Sequence, residues 1–384
     1  MHTWQFCLKP HHKYILFGFS VKNINHLVQL PPPVHGAALV NQRVCDIAER
    51  SSELKNTIYR LNYAQNFEQM HAPARIKLAY TIRLLMAVIA GFFKNKPAIT
   101  YLAFSPFGAG FYRDLFLVGL ALTFRSKPCL HLHGAGLSKN SSAIKALLLK
   151  WMLSKSTLIV ISESLLEDLS PYLGKGTVVT VNNCVDDPGA VVRDQNKDVI
   201  RVLYLANLDE RKGVKIAIEA FSRLIVPGKR FELFVAGSDT ARLSRKNLQS
   251  FIDEKYPQLT SCIFLLGPVY GEEKASFFQS GDLFLYPSQH DAAPLVVLEA
   301  LSYGLPVICS NQGALPDMIQ DGVNGYVSKS NNPSEYAELM LICQTDLDTL
   351  SKRARETYLS KYTPDIFEQK ILDLFLNGAP NGPH

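Results

Sequence analysis

The 384-residue chain has no C-x-x-C pair, no apolar run long enough to cross a bilayer, and no Lys/Arg cluster interleaved with stacking aromatics. Each absence removes a class of protein. The seven cysteines, at 7, 45, 129, 184, 262, 309 and 343, are scattered and lack a histidine at ligand spacing. They read as reduced, buried thiols of a cytosolic protein, not as zinc ligands or disulfide partners. A spanning helix needs ~18–20 apolar residues. The nearest candidate, LAYTIRLLMAVIAGFF from Leu78 to Phe93, is broken by Arg83, and Leu115–Phe124 is too short. Both are expected to be core helices, with an interfacial helix as the alternative. Lys13–Val21 has the apolar character of a signal-peptide core, but no small-residue cleavage site follows convincingly. The chain is therefore expected in the cytoplasm, with peripheral contact at the inner face of the cell membrane as an open expectation. Nucleic acid is excluded as a partner. The absence of G-x-G-x-x-G after the first expected strand argues against a nicotinamide oxidoreductase.

What is present is an ordinary globular composition, 47% hydrophobic and 19% charged, enough for two cores at this length. The net charge of +6 is unevenly divided: up to Pro188 there are 20 Lys/Arg against 10 Asp/Glu, and afterwards 20 against 24. A basic amino-terminal half suits an acidic partner, such as an anionic membrane face or a pyrophosphate-linked lipid acceptor.

The most informative stretch is Leu283–Val327. An apolar run, Leu283–Pro287, reads as a buried strand, followed by a polar loop and by Pro294, which suits a helix's first turn. That helix should stop at Gly304. A second buried strand, Pro306–Cys309, leads into a glycine-bearing loop at Asn311–Gly313. This is a βαβ unit whose loops open at the carboxyl ends of parallel strands, where open α/β sheets bind ligands. Asp291 lies just ahead of the helix and Glu299 inside it, among apolar neighbours, where an acid is costly unless a polar group meets it.

An acid, seven residues (AAPLVVL) and then Glu299-Ala300 resembles the signature of retaining, family 4 glycosyltransferases of the "glycosyl transferases group 1" type. Gly313 with Asp317, and DGVNG at Asp321–Gly325, also resemble that family. The resemblance implies a GT-B fold: two Rossmann-like, doubly wound parallel-sheet α/β domains facing a cleft. The expected layout is an extension of uncertain status at 1–23, an acceptor-binding domain at 24–190 and a nucleotide-sugar domain at 191–362. A helix at 363–378 should pack back on the first domain, and 379–384 should be a disordered tail.

Other segments fit the same pattern. A strand at Ile24–Leu30 runs into Pro31-Pro32-Pro33-Val34-His35-Gly36 and a helix from Leu39 to Arg50, resembling the family's P-P-x-x-G-G loop with His35 for the first glycine. Backbone N–H groups near Gly36 could approach an anion. Ala98–Phe104 reads as a strand, with a helix from about Arg113. Pro128–His133 is a strand ending at His133-Gly134, and the family resemblance places His133 near the transferred sugar. His131 is read as structural, facing the opposite side of the sheet. Ser162 reads as the N-cap of a helix to Leu169, and Asn182-Asn183-Cys184-Val185-Asp186 resembles P-N-G-V-D. The polar stretch Asp186–Asp198 reads as the interdomain linker.

After the strand Arg201–Ala206, the loop to Lys212-Gly213 resembles G-R-L-x-x-x-K-G, with Asn207 where the family has arginine. Either Arg211 replaces the missing charge or Lys212 does more. The resemblance then implies a role for each candidate. Lys212 would neutralise the diphosphate, and Glu299 would bind ribose hydroxyls. The amides of Leu295 and Val296 would meet the leaving diphosphate at a helix end. Asp291 would contact the sugar, with His133, Lys212 and Asp291 as the catalytic set. No cofactor and no metal ligand set is read. The expected reaction moves a sugar from a UDP- or GDP-sugar to a saccharide or polyprenyl-linked saccharide acceptor in bacterial surface-polysaccharide assembly. A non-catalytic nucleotide- or partner-binding protein and a sugar-nucleotide epimerase of the same fold are the alternatives.

Overall fold

The structure, a computed structural model, describes residues 21–32, 34–61, 74–134, 142–174, 176–191, 198–224 and 230–378. Most of the expected extension, part of the expected linker and the expected tail lie outside these residues. The first half alternates strands and helices: β1 (Lys22–Val28), α1 (Gly36–Arg50), β2 (Leu54–Arg60), α2 (Ala74–Asn95), β3 (Ile99–Phe104), α3 (Gly108–Thr123). It continues with β4 (Lys127–Leu132), α4 (Ala143–Ser154), β5 (Thr157–Val160), the short α5 (Ser170–Leu173) and β6 (Thr177–Thr180). The six strands are parallel, in the order β2-β1-β3-β4-β5-β6. The chain moves outward from β1 to β2 and then returns past β1 to β3. Right-handed crossovers therefore put α1 on one face and α2, α3 and α4 on the other. The two cores follow suit. Tyr101, Cys129 and Ile159 join the apolar side of α1, while Leu102, Leu130 and Leu158 join those of α2–α4.

The second half comprises β7 (Val199–Leu205), α6 (Val214–Phe221), β8 (Arg230–Ala236), α7 (Arg245–Lys255), β9 (Ile263–Gly267) and α8 (Gly271–Ser280). Then come β10 (Leu283–Tyr286), α9 (Leu295–Ser302), β11 (Val307–Ser310), α10 (Leu315–Met318) and β12 (Gly325–Ser328). Helices α11 (Pro333–Cys343), α12 (Leu347–Lys361) and α13 (Pro364–Asn377) complete it. This sheet is also parallel, in the order β12-β11-β10-β7-β8-β9. Helix α13 crosses back to the first sheet. Phe367, Ile371, Leu374 and Phe375 enter the core beneath α1, and Arg50 pairs with Glu368 at 2.5 Å.

Three local expectations are corrected. Helix α1 begins at Gly36, not Leu39, because the His35 side chain caps it by accepting from the Ala38 N–H at 3.2 Å. Helix α3 begins at Gly108, before Arg113. Ser162 precedes a 3-10 turn (Glu163–Leu166) and does not cap it, since its hydroxyl donates instead to Asp317 of the second half. The Ser164 N–H also donates to Asp317, at 2.7 Å, so the Asp of the G-x-x-x-D pattern fastens the two halves together. The DGVNG segment is a turn held from within: buried Asn324 donates to the Met318 carbonyl and accepts from the Gln320 N–H, both at 2.8 Å.

His131 does not face away from His133. Residues two apart on a strand share a face, and the two rings lie 4.1 Å apart. His131 is fully buried against Tyr101, whose hydroxyl lies 2.6 Å from Nδ1. His26, on β1, is equally buried, with Nε2 3.0 Å from Asn56 Oδ1. Burial pushes His26 down to about 4 from an ordinary 6.5, and drives His131 well below its usual range. Such groups fold neutral and bind fewer protons than in the unfolded chain. Stability is thus complete above the unfolded value and is lost as pH falls toward the folded one. The melting temperature should drop as pH is lowered from 6.5 toward 4, and less steeply in His26→Gln. Identical pH slopes for the two proteins would contradict this account.

Candidate active site

A cleft of about 470 Å³ opens at the carboxyl ends of both sheets. Its floor is where two helix amino termini approach each other: a Cβ placed on Gly36, the first residue of α1, would lie 3.8 Å from Leu295 Cδ1 on α9. The cleft gathers Gly36 and His133 from the first half with Asn207, Lys212, Asp291, Leu295, Val296 and Glu299 from the second. Arg211 is not among the lining residues. Its guanidinium is held at the exposed surface by Asp209, with Nη2 to Oδ2 at 2.7 Å, because Asp209 caps the same short turn. Arg211 therefore does not replace the charge missing at Asn207. The cations lining the cleft, among the described residues, are Lys212 and Lys274.

The Lys212 loop is pinned by Gly213, whose φ of +78° is a left-handed conformation; a Cβ there would meet the Pro287 carbonyl at 2.1 Å. This approach to the end of β10 brings Lys212 Nζ to 2.5 Å from Asp291 Oδ1. The other carboxylate oxygen accepts from the Tyr286 hydroxyl and from Ser288 Oγ, each at 2.7 Å. Burial, then the Asp291 charge, pushes the Tyr286 phenol well above its usual range, so it stays a donor. Behind Asp291, Gly313 has a φ of +56°, and its Cβ would come within 2.3 Å of the Asp291 carbonyl. The next residue, Ala314, donates its N–H to the Ala292 carbonyl at 2.6 Å.

Glu299, inside α9, meets Lys274 of α8 at 2.5 Å. Burial raises its carboxyl above the usual range, and the Lys274 ammonium pulls it partly back. Breaking a fully buried ion pair by removing one partner costs about 3–5 kcal/mol. These pairs are partly exposed and the penalty is smaller, but the direction holds. The amino end of α9 adds the N–H groups of Leu295 and Val296 and the positive end of a helix dipole, while Pro294 contributes no donor.

His133 lies just past β4, with Nε2 3.0 Å from Asn41 Oδ1. Asn41 is buried on α1 and spends its amide N–H on the Gln29 carbonyl at 3.1 Å. Its oxygen is therefore the atom turned to His133, which must donate from Nε2 and keep Nδ1 as an acceptor. Burial, and then the neighbouring His35, lowers His133 to about 4. The ring is neutral at physiological pH.

Residues 191–357 match the family model described as "Glycosyl transferases group 1". That segment is similar to the family. The match lies on the half of the chain that carries Lys212, Asp291 and Glu299. Over 156 residues the chain is 29% identical to the amylovoran biosynthesis glycosyltransferase AmsK of Erwinia amylovora, covering 39% of this chain and 37% of that one. It spans about two-fifths of the length of the curated relatives it matches. A glycosyltransferase structure from Rickettsia africae ESF-5 superposes with a TM-score of 0.72 at 16% identity, covering 94% of this chain and 99% of that one. The Anabaena Alr3699/HepE structure in complex with UDP gives 0.70 at 16% identity, over 93% and 100%. The architecture is the GT-B fold.

Several residues that shape this site escaped the sequence reading. Tyr286 and Ser288 were within reach, because they stand in the same strand and loop as Asp291. Lys274 carries no such signal, being one lysine on a surface-patterned helix 25 residues from Glu299. Asn41 was marked only by being an amide on the apolar side of a helix. The chain's Asp-x-Asp, Asp346 and Asp348, opens α12 and is not part of the cleft lining.

Replacing Asn41 with Asp puts a carboxylate where the amide oxygen receives His133, favouring the imidazolium. The His133 ring should then titrate well above about 4, as read by NMR of the ring protons. An unchanged titration would mean that Asn41 does not set the protonation of His133.

Proposed function

We propose that the protein is a retaining glycosyltransferase. It moves a sugar from a nucleoside-diphosphate sugar, UDP- or GDP-linked, to a saccharide or lipid-linked saccharide, in the assembly of a bacterial surface polysaccharide. The observation that carries this reading is the order of charges along the cleft. A carboxylate inside α9 comes first, then the positive end of that helix with Lys212, then a triply held Asp291, with a neutral histidine opposite. A nucleoside-diphosphate sugar has matching groups in sequence: ribose hydroxyls, a diphosphate and sugar hydroxyls. The likeness to the HepE fold, recorded in complex with UDP, agrees with this choice.

On this reading Glu299 accepts from the ribose and the diphosphate lies at the end of α9. Lys212 swings from Asp291 toward the β-phosphate. Asp291, still held by Tyr286 and Ser288, takes a sugar hydroxyl as its replacement donor, and His133 Nδ1 accepts another. The acceptor hydroxyl attacks the anomeric carbon on the face the phosphate leaves. The C–O bond to the β-phosphate breaks, its electron pair stays on the phosphate oxygen, and that oxygen takes the acceptor's proton. Configuration is retained without a protein nucleophile. Lys212 and the helix end stabilise the charge that grows on the departing phosphate, so transfer is expected to proceed without a metal ion.

Thermal-shift measurements against UDP, GDP, ADP and their sugar conjugates should single out one base. A ligand at ~100 times its dissociation constant adds ~2.7 kcal/mol of stability. Lys212→Ala should lower transfer by about 10²–10³-fold and Glu299→Ala should weaken nucleotide binding, both with the fold intact. Near-normal kinetics in both variants would overturn the assignment. Nucleotide binding without transfer or donor hydrolysis would make the protein a binding module.

A further inference from the structure

Between Gln69 and Ser162 the sequence carries twelve Lys or Arg and a single acid, Asp114. That acid is fully buried on α3, paired with Arg113 at 2.8 Å and accepting the Ser105 N–H at 2.7 Å. The stretch offers solvent no carboxylate among its described residues. It builds α2, α3 and α4, which lie together on the face of the first sheet turned away from α1 and α13. The layer is continuous. The Phe93 ring on α2 meets Phe124, at the end of α3, at 4.8 Å, and Lys145 on α4 sits over the rings of Phe107 and Phe111.

The outer side of this layer is unusually apolar. Ile144 and Leu147 on α4 are 75% and 70% exposed, and Trp151, one turn on, is 41% exposed. Their spacing puts all three in one stripe. Met86 and Phe93 on α2 and Tyr112 on α3 are 58%, 67% and 60% exposed. Exposed Arg75, Arg83, Lys94, Lys150 and Lys155 flank them. A hollow on α2 of about 450 Å³ is lined by Arg75, Ile76, Tyr80 and Arg83, two guanidiniums beside apolar walls. Exposed apolar surface rimmed by cations fits a partner that offers acyl chains and phosphates together. A second copy of this face would set cation against cation, which disfavours self-association.

We propose that the α2–α4 face seats the protein on an anionic phospholipid bilayer, with Ile144, Leu147 and Trp151 in the headgroup boundary and the flanking Lys and Arg on lipid phosphates. The cleft opens at the strand ends, not over this face, so docking leaves it accessible. The surface stands apart from the nucleotide-sugar reading, since none of its residues lines the cleft.

The test is flotation of the full chain with phosphatidylcholine vesicles and with vesicles that also contain phosphatidylglycerol. Wild-type protein should float with the anionic vesicles only, and added salt should release it. In a Trp4→Phe background, Trp151 emission should shift to shorter wavelength on binding. Ile144→Asp/Leu147→Asp and Lys150→Glu/Lys155→Glu should each weaken flotation by about tenfold or more while circular dichroism and melting temperature stay unchanged. No flotation, equal flotation on neutral vesicles, or flotation unaffected in both variants would each overturn the proposal. So would a dimer seen by light scattering that the same substitutions dissociate, because that assigns the face to a second copy. No donor or acceptor is needed for these readouts, so they stand or fall apart from the transferase assignment.

Discussion

Two carboxylates withdrawn from bulk water within one cleft set the terms for everything built around them. Neither can stay charged there without donors, and each has recruited a lysine from another element: Asp291 takes Lys212 from the turn after β7, and Glu299 takes Lys274 from α8. Loop geometry follows from this need. Gly213 lets the Lys212 turn press against the end of β10, and Tyr286 and Ser288 fill the coordination of Asp291 that the lysine leaves open. The protein therefore holds these charges in internal pairs.

Much of this architecture could be read before any coordinates. Parallel strands buried on both faces read as unbroken apolar runs, and glycine punctuation marks their ends. Leu283–Pro287 and Pro306–Cys309 could be recognised, as could the helix between them. Positions set by backbone periodicity were legible; partners supplied by distant elements were not. Lys274 and Asn41 reach the cleft through tertiary packing that leaves no mark on local spacing. Arg211 illustrates the opposite failure, for a cation in a suitable loop was claimed by an aspartate two residues away. Ser162 is similar: its place before a turn suggested a cap, but its hydroxyl was taken by the other half of the molecule. His131 was misjudged by arithmetic, since strand periodicity puts it on the same side as His133.

The first half also carries a contrast between its two faces. One is closed by α1 and α13 and contains the neutral, buried His26, Tyr101 and His131 that lead up to His133. The other, under α2–α4, is packed with aliphatic and aromatic side chains and ends in an apolar, basic exterior. The polar network and the apolar, basic exterior thus lie on opposite sides of one sheet, and changes to the exterior side chains can be made without disturbing the network.

The loop from Gly313 to Asp317 has two attachments. At one end it carries backbone contacts to Asp291 and Ala292, and at the other Asp317 is gripped by Ser162 and Ser164 of the opposite half. Ser164 Oγ also donates to the Gly313 carbonyl at 3.1 Å, so one serine holds both ends of this lever. Only a few residues thus separate the grip of the opposite half from the backbone beside Asp291. A displacement of Ser162 and Ser164 would therefore be transmitted through a handful of bonds to the backbone that carries Asp291.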